Sequence, residues 1–393
     1  MRRLTVLMLL VALGPLGNSR SASVPSPDWA IELKAYGWTA PNSPSNKAFF
    51  KDFSIAKLEA VDQNTRVSFL NGDVIVAYHT KQEGQDWRTA TRHLEAFFIS
   101  AKNGSLLSRK EWATAVRGDE SDLLDSESRL IPLSNGRFLV FANRTMMLYG
   151  IDLKLIAQKK LESSTSADLW SAQSVAEGRE IFLRHQSSSD QQTTYYWLAS
   201  DTLLPLSQMP GFRGGNFSVA AIAGEDFVLA ALGFSGPGMT TGIGKIGLDG
   251  STKLICSDQF CREAGGTVVS SQRIAISGRH GIGVVDPEQG LLWSKRIPST
   301  SNANDFQFGQ IQSAMSGNVF AVWVRAYRGA MFDGVKMGSS PTLLVYDVTS
   351  PKLLRAIPMD HQRGDFDFAL SPDGSEVVIF DGAAMRLYAV HQG

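Results

Sequence analysis

The chain has 393 residues, with 38 Lys and Arg balancing 38 Asp and Glu; it is 43% hydrophobic and 19% charged. A composition of that kind is globular, and it excludes a largely disordered chain or one built of membrane spans. Zero net charge and the lack of a basic stripe argue against a nucleic-acid partner, which needs a positive surface to meet phosphate.

Residues 1–23 read as a signal peptide. Arg2 and Arg3 precede an apolar run from Leu4 to Leu16, and small residues at Ser19, Ser21, Ala22 and Ser23 offer cleavage near 21–23. The run is short for a membrane span, with an uncleaved anchor as the alternative. Export, periplasmic or secreted, follows as the expected localisation. No later segment is apolar enough to cross a bilayer, so the mature chain is expected to lack a transmembrane segment. Residues 24–48, with Pro25, Pro27, Pro41 and Pro44 among serines and asparagines, read as a linker or loosely docked arm, and 49–393 as one domain.

Beyond the arm the pattern is short β-type runs separated by turns. Residues 109–116 and 154–162 are the best helical candidates, and both are short. The runs fall into groups of four. Arg66 to Leu70, Asp73 to His79, His93 to Ser100 and Leu106 to Lys110 make the first group. Five more follow, starting at Ser128, Leu169, Phe217, Gly266 and Phe306. The last group, Asp365 to Leu370, Glu376 to Phe380 and Met385 to Val390, has three strands and carries the turn Ser371-Pro372-Asp373-Gly374. This unit resembles the blades of WD-repeat and TolB-type β-propellers, where a similar turn precedes an apolar strand. The resemblance implies an all-β, seven-bladed propeller of four-stranded antiparallel blades. Its last blade would be closed by an N-terminal strand, for which Ser54 to Val61 is β-compatible. Six or eight blades, or two packed sandwiches, are the competing architectures. The run from Val285 to Trp293 is similar to a quinoprotein-type propeller repeat, but it occurs cleanly once, and Trp293 is expected to dock its blade.

Cys256 and Cys261 are close enough to form a local disulfide in an oxidising compartment, with free thiols as the alternative; two cysteines alone make no zinc site. No cofactor is implied.

Second-to-third strand connections are long at Lys81 to Arg92, Gln186 to Thr193, Gly233 to Thr241 and Ala326 to Pro341, whereas the first-to-second turns are tight. Long loops on a rigid frame are where binding concentrates. Trp87, Arg88, Arg328 and Phe332 are the anchor types such loops use. Asp168, Asp305 and Asp365 recur at the starts of first strands, near Arg213 and Arg363, and would ring the channel mouth; the alternative is that each aspartate caps its own turn. The histidines are dispersed and no nucleophile elbow or metal motif appears, so the expected activity is binding of a protein, peptide or glycan by a monomer. A propeller enzyme (lactonase, glycoside-cleaving or quinone-dependent dehydrogenase type) is the alternative.

Overall fold

The computed structural model describes residues 25–38, 65–83, 91–113, 129–142, 144–162, 169–187, 192–210, 218–221, 227–232, 242–247, 252–257, 259–262, 264–270, 273–298, 305–326, 329–338, 340–359, 366–382 and 384–391. It is a β-propeller of four-stranded antiparallel blades.

Six sheets take their strands consecutively along the chain, apart from one inserted hairpin. Sheet I comprises β2 (Arg66–Phe69), β3 (Val74–Glu83), β4 (Thr91–Ser100) and β5 (Leu106–Ala113). Sheet II comprises β6 (Arg129–Pro132), β7 (Phe138–Ala142), β8 (Thr145–Tyr149) and β9 (Leu155–Lys160). Sheet III holds β10 (Leu169–Val175), β11 (Glu180–Gln186), β12 (Thr193–Ala199) and β13 (Pro205–Pro210). Sheet IV holds β14 (Ser218–Ala221), β15 (Phe227–Leu232), β16 (Gly242–Gly247) and β17 (Thr252–Cys256). Sheet V is β18 (Ala264–Ser270), β19 (Arg273–Gly278), β20 (Gly281–Asp286) and β21 (Gly290–Arg296). Sheet VI is β22 (Phe306–Ser313), β23 (Val319–Ala326), β26 (Thr342–Asp347) and β27 (Leu353–Pro358), interrupted by a small hairpin of β24 (Met331–Phe332) and β25 (Val335–Lys336). Sheet VII joins β28 (Phe366–Leu370), β29 (Glu376–Asp381) and β30 (Ala384–Ala389) to β1 (Trp29–Glu32), in the order β1-β30-β29-β28.

The first strands neighbour one another around the centre: β28 meets β2, β2 meets β6, and β6 meets β10, while on the other side β14 meets β18, β18 meets β22, and β22 meets β28. Apolar clusters fill the wedges between successive sheets. Phe98, Trp112, Phe138 and Tyr149 lie between sheets I and II, and Phe141, Leu148, Trp170 and Leu183 between II and III.

Two expectations need correcting. The closing strand is Trp29–Glu32, which pairs with β30 from Trp29↔Leu387 to Glu32↔Ala384. It therefore comes from the segment expected to be a linker or loosely docked arm, and it docks because Trp29 and Ile31 alternate inward onto the core between sheets VII and I. Ser54 to Val61, the expected donor, lies outside the described residues. Residues 109–116 and 154–162 are not helices: β5 and β9 run through their described parts. Both are outer strands whose inward-facing positions include polar residues such as Ser108 and Lys110, so the apolar-polar alternation that marks a half-buried strand is blurred in the sequence although burial alternates.

In sheets I to VI the pairing of the third and fourth strands carries a register shift, as between Phe98 and Ile99 or Val284 and Val285. An extra residue there raises the local twist, which turns each outer strand away from its neighbour. The β1–β30 pair, whose strands are not joined as a hairpin, has none.

Candidate functional site

The two faces of the ring are built differently. On one face, two of the first-to-second turns are closed by their own side chains. Asn71 Oδ1 accepts the N–H groups of Asp73 (2.9 Å) and Val74 (2.8 Å), and Asp373 Oδ1 accepts from Ser375 N–H (3.0 Å) and the Ser371 hydroxyl (2.7 Å). On the opposite face lie the long second-to-third connections, and the described part of one of them forms a compact finger.

The finger is the β24–β25 hairpin, with Met331 opposite Lys336 and Phe332 opposite Val335. Its turn places Asp333 at φ 45° and Gly334 at φ 78°, the left-handed conformation a two-residue hairpin turn of this twist requires. Asp333 then pins the finger to the ring. One carboxylate oxygen accepts from Lys295 Nζ of sheet V (2.7 Å), the other from the Tyr346 hydroxyl of sheet VI (3.1 Å). Burial, and secondarily the Asp333 charge, push the Tyr346 hydroxyl far above the usual phenol range. Phe332 is buried against Phe306 and Phe308, with ring centroids at 6.1 and 5.2 Å. This corrects its reading as a ligand contact: the finger needs an apolar foot in the wedge between sheets V and VI, whereas Met331, in the strand pair farther from the turn, is exposed.

A second polar centre lies where sheet VII meets sheet I. After β1, Leu33–Tyr36 forms a 3-10 turn that ends at Gly37 (φ 86°) and delivers Trp38 into the junction. Trp38 packs edge-on to His79 (6.1 Å) and Phe380 (5.8 Å), and its indole N–H donates to Thr65 Oγ1 (3.2 Å). Beneath it, His79 on β3 and Glu95 on β4 are cross-strand partners and both buried, with His79 Nε2 3.4 Å from Glu95 Oε2. Arg109 on β5 donates to Glu95 Oε1 and also lies 3.5 Å from Glu111. Burial raises the Glu95 carboxyl above its ordinary range; Arg109 pulls it back and Glu111 adds to the rise.

The third centre is on the inner strands. Asp367 of β28 is buried and spans three neighbouring inner strands: Oδ2 accepts the N–H of Val67 in β2 (2.9 Å), and Oδ1 accepts from Gln310 Nε2 in β22 (2.8 Å). Burial raises its pKa, opposed by Arg66 and by these donors.

Of the residues anticipated from sequence, Asp305 stands half-buried immediately before β22. Trp87, Arg88, Asp168, Arg213, Arg328, Arg363 and Asp365 lie outside the described residues. Among the described residues no three His, Cys, Asp or Glu side chains gather as a metal site requires. Cys256 and Cys261 form a disulfide with Cα atoms 5.9 Å apart, closing the loop that carries the short helix α1 (Gln259–Arg262). Sequence reasoning missed Asp367 and the pairing of Glu95 with His79. The first sits two residues inside the strand whose preceding residue, Asp365, drew attention. For the other two the one available signal was hairpin register, which places His79 opposite Glu95.

No family model and no curated protein matches the chain. Solved structures similar to it include propellers. The β-propeller domain of the Trilobed protease from Pyrococcus furiosus is 13% identical, over 84% of this chain and 98% of that one, at a TM-score of 0.45. The WD40 domain of Neurospora crassa Pan2 is 9% identical, over 84% and 90%, at 0.48. Acylaminoacyl peptidase from Pyrococcus horikoshii is 12% identical, over 85% of this chain and 53% of its own length, at 0.48. No helix among the described residues is long and apolar enough to cross a membrane.

Proposed function

We propose that the protein is an exported, monomeric, seven-bladed binding propeller that holds a protein, peptide or glycan on the face of its long second-to-third strand connections. The seven four-stranded sheets support the blade count. The observation that carries the binding reading is the contrast between faces: tight turns on one, two of them self-bonded, and on the other long connections, one of them a finger fixed by Asp333 with Met331 exposed on it. A contact residue held in place before binding loses less conformational entropy when a partner docks. Trp87, Arg88, Asp168, Arg213, Asp305, Arg328, Arg363 and Asp365 are the proposed contacts around it. Export rests on the Arg2–Ser23 leader pattern.

The test is a screen of the purified exported chain against peptide and glycan arrays, repeated with Trp87→Ala/Arg88→Ala and with Met331→Ser. A ligand whose affinity falls about 30-fold or more in the double variant supports the reading, since a single anchor residue of this type carries about 2 kcal/mol. A ligand indifferent to both variants places binding elsewhere. Mass analysis of the exported chain checks removal of residues up to 21–23.

A further inference from the structure

Sheet VI carries, on its side facing sheet VII, a set of polar groups that the fold does not use. Along β23, Ala321 and Trp323 pack toward sheet VII, while Val322, Val324 and Ala326 pack toward sheet V. Alternation therefore turns Arg325 toward sheet VII, immediately before the long connection that follows the strand. Three arginines among the described residues have a buried Nε with no hydrogen-bond partner: Arg184, Arg325 and Arg355. Arg184 still donates to Gln186, and Arg355 to Ala389 O, through another nitrogen. Arg325 is half-buried and, among the described residues, makes neither a hydrogen bond nor an ion pair.

Two more unused donors lie beside it. Gln307 on β22 is the cross-strand partner of Arg325, and its exposed amide has no hydrogen bond among the described residues. The pairing then slips between Phe308 and Ile311, so that Gly309 and Gln310 both stand opposite Trp323. Bulges of this kind re-aim side chains and recur beside functional sites. Here Gln310 is turned to Asp367, and a Cβ on Gly309 would overlap the Trp323 ring. Glycine is what lets the indole lie across the inner strand. Trp323 stays half-buried with its N–H unbonded among the described residues, and Phe366 of sheet VII meets it edge-to-face at 5.3 Å. The wedges on either side are filled at this end, one by Phe332 and the other by Trp38. Between sheets VI and VII the corresponding end holds a guanidinium, an indole N–H and an amide instead.

A buried donor without an acceptor costs stability, and that cost is offset when an acceptor arrives. Guanidinium and indole only donate, so the group they lack is one rich in lone pairs. The described carboxylates of these strands do not supply it: Asp367 bonds Val67 and Gln310, Asp381 pairs with Arg386, and Asp305 at the start of β22 makes no ion pair with Arg325. One cation beside two aromatic rings suits a carboxylate with an apolar body, whereas a phosphate is matched by clustered cations. An acidic sugar surrounds its carboxylate with hydroxyls that need acceptors too, which this donor set does not offer. We infer that the cluster of Arg325, Trp323 and Gln307 binds a carboxylate of a peptide, at its C-terminus or on an acidic side chain next to an apolar residue. The inference rests on the long-loop face being the binding face, since Arg325 sits at the root of the connection that carries the finger.

The exported chain is labelled isotopically at its tryptophan nitrogens, and its indole signals are followed as probes are added. The Trp323 signal is the one missing from Trp323→Phe. The probes are acetyl-Gly-Leu-Phe with a free C-terminus, the same peptide amidated, and amidated acetyl-Gly-Glu-Phe. Saturable movement of the Trp323 signal is expected with the free C-terminus and about tenfold weaker with its amide; recovery with the amidated glutamate peptide assigns the side-chain source. Arg325→Met keeps the apolar stem and removes the charge. It should weaken binding about tenfold or more and leave the thermal transition no lower, because no protein partner is lost. A variant that melts lower marks a structural role and overturns the inference. So does a Trp323 signal that moves with glucuronate or inorganic phosphate but with no peptide, or with none of the probes. A peptide from the array screen whose affinity depends on Trp87 and Arg88 but not on Arg325 sinks this inference alone and leaves the proposed binding face standing.

Discussion

The junction between sheets V and VI and the junction between sheets VII and I are both filled wedges, yet they are held by different chemistry. Between V and VI the filling is apolar: Phe306, Phe320, Val322, Phe332 and Leu344, with Trp293 stacked on Phe320 at 5.9 Å and its indole donating to Val348 O (3.1 Å). The finger adds one polar pin at Asp333. Between VII and I an apolar cluster around Phe97 and Phe380 is joined by His79, Glu95, Arg109 and Asp367, and by bonds from the N-terminal segment to sheet I: Trp29 Nε1 to Ala101 O (2.6 Å) and Tyr36 hydroxyl to Gly104 O (3.0 Å). Sheets V and VI follow one another along the chain, so connectivity already chooses the neighbours and shape-tolerant packing suffices. Sheets VII and I come from opposite ends of the sequence; the Val67–Asp367 bond spans 300 residues. There, directional hydrogen bonds and buried charge select the register that connectivity does not.

Three measurements break or sharpen this contrast. The largest effect is expected at the closing junction: Glu95→Ala strands Arg109 and His79 beside an empty site and lowers unfolding free energy by about 3–5 kcal/mol in denaturant titration, whereas His79→Leu/Glu95→Leu, which removes both buried polar groups, recovers much of it. A single variant no worse than the double would show that the pair does not act as a unit. Next, at the apolar junction, Phe332→Leu keeps the site apolar but loses the ring and some volume, and costs about 1–2 kcal/mol; a loss as large as that of Glu95→Ala would erase the distinction.

The smallest effect is in pH dependence. Burial holds the Glu95 and Asp367 carboxyls above the range they have in the unfolded chain. The folded state therefore binds protons more readily than the unfolded one, and these groups favour folding at low pH, a contribution lost as pH rises through their folded values. Unfolding free energy attributable to them should rise, by on the order of 1 kcal/mol, as pH is lowered from neutral toward the ordinary carboxylate range. Asp367→Asn should flatten that slope, and the same slope in the variant would assign it to other groups.

Much of the propeller was legible in the sequence because blades are local objects. The Ser371-Pro372-Asp373-Gly374 turn announces its hairpin, since Asp373 bonds residues two positions to either side. Buried strands such as Val319–Ala326 read as near-continuous apolar runs. The outer strands β5 and β9 were misread because, although burial alternates along them, polar residues such as Ser108, Lys110 and Lys159 occupy the inner face too, so the residue types do not alternate. Most of the anticipated contact residues fall outside the described part of the long-loop face, while the polar centres around Asp333, around Glu95 and around Asp367 went unanticipated.

What the sequence determined alone was whatever a few neighbouring residues can enforce: turns, strand runs, and a disulfide six residues wide from Cys256 to Cys261. Tertiary structure decided that Trp29–Glu32 closes the ring, that Arg109 reaches Glu95 across a strand pair, and that Asp367 caps the free edge of β2 at Val67. Each of these joins groups that are remote or out of phase along the chain. Their meeting costs chain entropy that no local preference offsets, so they form only once the sheets are assembled.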